Sequence, residues 1–102
     1  MANWDIQKEQ PSVFVDDTTY RGYVSAELNR LMSMHTPLHK THKVTFSWKK
    51  PESHVHGFQT MGEKIVDAVR DFEKHTHGFA FTTFGGLDNS ATQIEVRVRR
   101  LG

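Results

Sequence analysis

The stretch Ile94-Glu95-Val96-Arg97-Val98-Arg99 alternates apolar and charged side chains at every step. A period of two is the signature of a β-strand, so Ile94, Val96 and Val98 share a face that packs on a core, while Glu95, Arg97 and Arg99 face water. Such a strand needs neighbours and a cover for its apolar side. Just upstream, Phe79-Ala80-Phe81-Thr82-Thr83-Phe84 has the aromatic and β-branched content of a second strand. Between the two, Gly85-Gly86-Leu87-Asp88-Asn89-Ser90 supplies turn chemistry, so the pair is expected to form an antiparallel hairpin.

Working outward, Thr60-Met61-Gly62-Glu63 is a capping-box pattern in which Thr60 and Glu63 each satisfy a backbone donor that the helix itself leaves free. Met61, Ile65, Ala68, Val69 and Phe72 follow on one helical face, and Gly78 is the expected stop. Before that helix, Val44, Phe46 and Trp48 alternate with Thr45, Ser47 and Lys49, a strand ended by Pro51. Earlier still, Tyr20, Val24, Leu28, Leu31 and His35 recur at helical spacing. That helix is expected to begin near Thr18 or Thr19, or later with Ser25 as N-cap, and to end at Pro37. Gly22 within it costs about 1 kcal/mol relative to alanine. Val13-Phe14-Val15 is a short apolar run stopped by Asp16 and Asp17, which suits a buried strand followed by a turn.

The expected order is therefore β-α-β-α-β-β. The simplest way to bury these faces is an α+β two-layer sandwich, a four-stranded sheet with two helices on one side. Residues 1–11, polar and ended by Pro11, read as a flexible leader, and residues 12–102 as one domain.

Composition bounds the chemistry. With 102 residues, 36% hydrophobic and 25% charged, the chain can bury one core and has the balance of a soluble globular protein. It contains no cysteine, which excludes disulfides, thiolate chemistry and cysteine-based zinc or iron–sulfur sites. No apolar window reaches the length of a membrane span and Met1 to Gln10 lacks the apolar core of a signal peptide, so a cytoplasmic protein with no membrane association is expected. The formal net charge is +1 with histidines neutral, yet the cations are clustered: Lys40, Lys43, Lys49 and Lys50 lie close together, and Arg97, Arg99 and Arg100 follow far downstream.

The element order resembles that of the fold shared by the Alba family of chromatin and RNA-binding proteins and the C-terminal domain of translation initiation factor three. Locally, Val13-Phe14-Val15 with Gly22-Tyr23-Val24-Ser25-Ala26, Lys64-Ile65-Val66-Asp67-Ala68-Val69, and Thr92-Gln93-Ile94-Glu95-Val96 are similar to Alba. The resemblance implies a dimeric nucleic-acid binder. Alba proteins typically carry a lysine-rich turn after the first strand and a basic hairpin arm. Here the turn is Asp16-Asp17-Thr18-Thr19, and the only charge in 85–90 is acidic, so no family lysine carries over to a matching residue.

Among constellations, Lys40, Lys43, Lys49 and Lys50 flank Phe46 and Trp48, an interleaving that could hold a phosphate backbone and stack bases. Alternation instead puts both aromatics beside Val44, as core packing requires. Arg97 and Arg99 would sit on the outer sheet face and extend the basic patch. Outward charge on a last strand also keeps a sheet soluble or an edge from aggregating. The seven histidines show no zincin, deaminase or facial-triad spacing, although His54 and His56 could chelate a metal with a third ligand, and no metal or other cofactor is expected. The candidate hydroxyls Ser25, Ser33, Ser47, Ser53 and Ser90 and a loop pairing Glu52 with His54 or His56 fix no catalytic geometry, and Gly85-Gly86 lacks the helix of a phosphate-binding loop.

The expected function is accordingly that of a small non-enzymatic nucleic-acid-binding protein, RNA or DNA, touching phosphates through Lys40, Lys43, Lys49, Lys50, Arg97 and Arg99. The alternative is a protein-interaction module, such as a small phage or accessory regulator or inhibitor that binds a host protein. Homodimerisation is expected in addition, because strands ending in Phe84 and Val98, with Met32 and Met34 beside the first helix stripe, offer more apolar surface than two helices cover.

Overall fold

A computed structural model describes residues 12–34, 38–49, 59–88 and 90–101. Six elements follow in the expected order: β1 (Val13–Phe14), α1 (Tyr20–Ser33), β2 (Thr41–Ser47), α2 (Met61–Lys74), β3 (Phe79–Phe84) and β4 (Gln93–Arg100). They form an α+β domain whose single mixed sheet has the strand order β1-β2-β4-β3. β1 runs parallel to β2, whereas β4 is antiparallel to both β2 and β3. A parallel pair cannot be joined by a tight turn, and α1 supplies the crossover between β1 and β2.

Both helices cover one side of the sheet. Val24, Leu28 and Leu31 of α1 and Ile65, Val66 and Val69 of α2 are buried with Val44 and Phe46 of β2 and Ile94, Val96 and Val98 of β4. On the same side, Phe72 of α2 meets Phe81 of β3 edge to face at 5.8 Å between ring centroids. Trp48, just past β2, is buried, and its indole N–H donates to the Ala91 carbonyl at 3.0 Å. The core reading of Phe46 and Trp48 therefore holds, and neither ring is free to stack on a base.

The helix starts differ in how they are held. At α2 the capping box is complete: Glu63 N–H donates to Thr60 Oγ1 at 3.2 Å, and Thr60 N–H to Glu63 Oε1 at 3.0 Å. At α1 the N-cap Thr19 makes no such bond, and Ser25 lies inside the helix rather than capping it. Asp16 does the work from three residues upstream, its carboxylate accepting the N–H groups of Thr18 and Thr19 at 2.9 and 3.0 Å. These bonds, with that of the Thr18 hydroxyl foremost, hold the Asp16 carboxyl below its ordinary pKa. Asp17 beside it pairs with Lys64 of α2 at 2.6 Å, tying the β1–α1 turn to the second helix.

One expectation needs correction, and one alternative is closed. Phe14 is not buried: Val13 pairs with the inward Phe46 and Phe14 with Ser47, so alternation turns Phe14 to the outer side, where it is 56% exposed. β4 is not an edge strand either, because it lies between β2 and β3. Edge protection therefore does not explain its arginines. The expected ends of helix one and β2 at Pro37 and Pro51, His35, and the leader 1–11 lie outside the described residues. Among the described residues no helix is long and apolar enough to cross a membrane.

Candidate functional site

With both helices on one side, the other side of the sheet is uncovered among the described residues. Its make-up follows from parity: the strand positions between the buried ones are Thr41, Lys43, Thr45 and Ser47 on β2, Gln93, Glu95, Arg97 and Arg99 on β4, and Ala80, Thr82 and Phe84 on β3. Three cations and one carboxylate thus stand among small side chains and the exposed ring of Phe84, with Phe14 of β1 on the same side. The register sets them in rows, Thr41–Arg99–Ala80, then Lys43–Arg97–Thr82, then Thr45–Glu95–Phe84.

The middle row is energetically informative. Trp48 N–H donates to the Thr92 carbonyl at 2.9 Å, which by alternation makes Lys43 and Arg97 a non-hydrogen-bonded pair, the kind with the closer side chains and Cα atoms about 4.5 Å apart. Two like charges directly opposite one another destabilise a sheet, by a magnitude comparable to the roughly 0.2–1 kcal/mol that a favourable pair contributes. Arg97 is partly compensated by an ion pair with Glu95 two residues back on its own strand. Its guanidinium also lies 4.1 Å from the centroid of the Phe84 ring, a cation–π contact on the open face. Lys43 and Arg99 have no ion-pair partner among the described residues. Phe84 is 43% exposed.

An open hollow of about 840 Å³ is lined by Lys43, Arg97, Arg99, Thr82 and Phe84 and extends to Arg30 at the end of α1. It reaches that helix past the part of β2 that β1, pairing only with Phe46 and Ser47, does not flank. Arg30 itself is paired with Glu27 at 2.7 Å.

Of the six basic positions singled out from the sequence, the fold brings together Lys43, Arg97 and Arg99. Lys40 lies in the turn before β2, where His39, with φ 67°, donates its N–H to the Arg100 carbonyl at 2.8 Å, so Lys40 borders the same end of the sheet as Arg99. Lys49 lies past the opposite end of β2, six residues and about 20 Å from Lys43 at the rise of an extended chain. Lys50 lies outside the described residues. Phe84, expected from the sequence only as apolar surface for self-association, joins these cations, and parity betrays it: in Phe-x-Phe-x-x-Phe the third ring falls on the face opposite the first two.

Among the described residues no group of three or more acidic or histidine side chains could hold a metal ion, and His54 and His56 lie outside them. Comparison with protein-family models, with curated proteins and with solved structures finds no match to this chain.

Proposed function

We propose that this protein is a non-enzymatic nucleic-acid-binding protein that takes single-stranded RNA or DNA on the open face of its sheet. Lys43, Arg97 and Arg99 meet phosphates, with Lys40 at the border, and Phe84 offers an exposed ring beside them. The observation that carries the reading is Lys43 set directly across from Arg97 on a central strand. A sheet needs no such pair for solubility and is weakened by it, whereas a polyanion laid over the face relieves the repulsion and supplies the missing counter-charge. Small neighbours, Ala80, Thr82 and Thr41, leave the strands accessible to a sugar-phosphate chain. The β-α-β-α-β-β order agrees with the Alba resemblance, which adds support by analogy alone.

Fluorescence anisotropy with labelled homopolymer oligonucleotides tests this. About three phosphate contacts imply a slope of log K against log salt near −2 for single strands. Arg97→Glu with Arg99→Glu should abolish binding for every sequence alike, and Lys49→Glu, about 20 Å along the chain from Lys43, should cost much less. Absence of binding at about 50 mM salt, or equal losses from the Lys49 and arginine variants, would refute the assignment.

A further inference from the structure

Of the sheet's edges among the described residues, β3 is a full six-residue strand, whereas β1 has two residues. Leu101 N–H donates to the Gly78 carbonyl at 2.8 Å, so by alternation Ala80, Thr82 and Phe84 direct their backbone groups at β4. The N–H and C=O groups of Phe79, Phe81 and Thr83 therefore point away from the sheet, and among the described residues no strand lies beyond them. Soluble proteins guard such an edge with charge, proline or a bulge. The segment Phe79-Ala80-Phe81-Thr82-Thr83-Phe84 has no charged residue, no proline and no glycine, and its composition favours extended pairing. Lys43 stands on the stretch of β2 that β1 does not flank and the arginines on the central β4, so no cation lies on β3.

We propose that β3 pairs with β3 of a second copy of this chain, antiparallel about a twofold axis at Phe81, joining two sheets into one. The register follows from the strand itself. Partners in an antiparallel ladder face the same side, so a twofold axis must pass through a residue. Centred on Phe81, it sets Phe79 against Thr83 of the second copy and engages all three outward-directed residues in about six backbone hydrogen bonds; centred on Thr82, it would engage about four. A twofold contact is self-complementary and closes the assembly at two chains.

The pairing completes the surface described above, and this step rests on the nucleic-acid reading. On the open face one row becomes Arg99, Ala80, then Thr82 and Arg97 of the second copy, and the twofold repeats it in reverse. Three strand spacings of about 4.8 Å put the arginine-bearing strands roughly 14 Å apart. Between them lies a floor of alanine and threonine, a trough with cations on both walls. A single chain provides one wall only.

Because the protein has no cysteine, the register can be trapped directly. Ala80 and Thr82 of the second copy form a non-hydrogen-bonded pair about 4.5 Å apart at Cα, within reach of a disulfide. Under mild oxidation an equimolar mixture of Ala80→Cys and Thr82→Cys chains should yield a covalent dimer, and either variant alone should yield several-fold less. Light scattering on the unmodified chain at about 100 μM should give twice the single-chain mass, reverting to one chain in Thr83→Pro, whose N–H points away from β4. A mass of one chain throughout, or a mixture that crosslinks no better than its components, would overturn the pairing. Arg97→Glu with Arg99→Glu should leave the dimer intact while abolishing oligonucleotide binding. A crosslinked dimer that binds no oligonucleotide would uphold the pairing and overturn only the role given to its trough.

Discussion

Gly62→Ala and Gly22→Ala make one chemical change in two helices and are expected to move stability in opposite directions. At Gly22, inside α1, an added Cβ meets nothing within 4 Å. The substitution then shows the plain advantage of alanine over glycine in a helix, about 0.5–1 kcal/mol. At Gly62, in the first turn of α2, the added Cβ would stand 1.7 Å from the Gly86 carbonyl oxygen and 2.6 Å from its carbon. Both are backbone atoms, so no rotamer change relieves the clash. Nor can the β3–β4 connection withdraw freely, because Gly86 has φ +83° and a Cβ built there already meets Ile94 Cβ at 2.5 Å. Overpacking of this kind costs about 1–3 kcal/mol, more than the helical gain returns. The expected net change is a loss of about 1–2 kcal/mol for Gly62→Ala. For a domain of this size each kcal/mol moves the melting temperature by about 4–8 °C, so the two variants should fall on either side of the parent by several degrees. Urea titration followed by circular dichroism, with the slope m unchanged between variants, gives the free energies. A Gly62→Ala protein as stable as the parent would refute the packing of the β3–β4 connection against α2.

Thr60→Ala removes one half of the α2 capping box and orphans the other, and should cost about 1 kcal/mol in the same titration. Lys43→Glu turns the like-charge pair with Arg97 into an opposite-charge pair: stability should rise by about 0.2–1 kcal/mol while oligonucleotide affinity falls, and a variant that loses stability would deny that the pair is repulsive. The Asp16 carboxyl has its pKa lowered in the folded chain by bonds from Thr18 and Thr19, so its contribution is present above the unfolded value of about 3.9 and is lost as pH falls through the folded one. Urea midpoints from pH 6 down to pH 2 should therefore drop less steeply below pH 4 in Asp16→Asn than in the parent.

The fold was largely legible because each element carries its own local signal. The alternation of Ile94, Val96 and Val98, the capping box at Thr60 and the helical stripe of Val24, Leu28 and Leu31 depend on near neighbours in the chain, and each element forms where those signals lie. What periodicity does not encode is which strand lies beside which. β4 pairs with β2, about fifty residues away, as fully as with β3, and this long-range choice moves it from the edge to the centre. The same choice sorts the basic residues. Lys40, Lys43, Lys49 and Lys50 look like one cluster in the sequence only because they are close in number; along an extended strand, nearness in number is distance in space, and Lys49 ends up at the far end of β2 from Lys43. Arg97 and Lys43, fifty-four positions apart, become direct neighbours. Alternation alone settles the aromatics: it buries Phe46 and Trp48 and turns Phe14 and Phe84 outward. A short apolar run reads as wholly buried until one strand of the sheet is known to have a bare side. The bare side here is also the one on which the like-charge pair of Lys43 and Arg97 stands, where an anion laid over the face would relieve the repulsion.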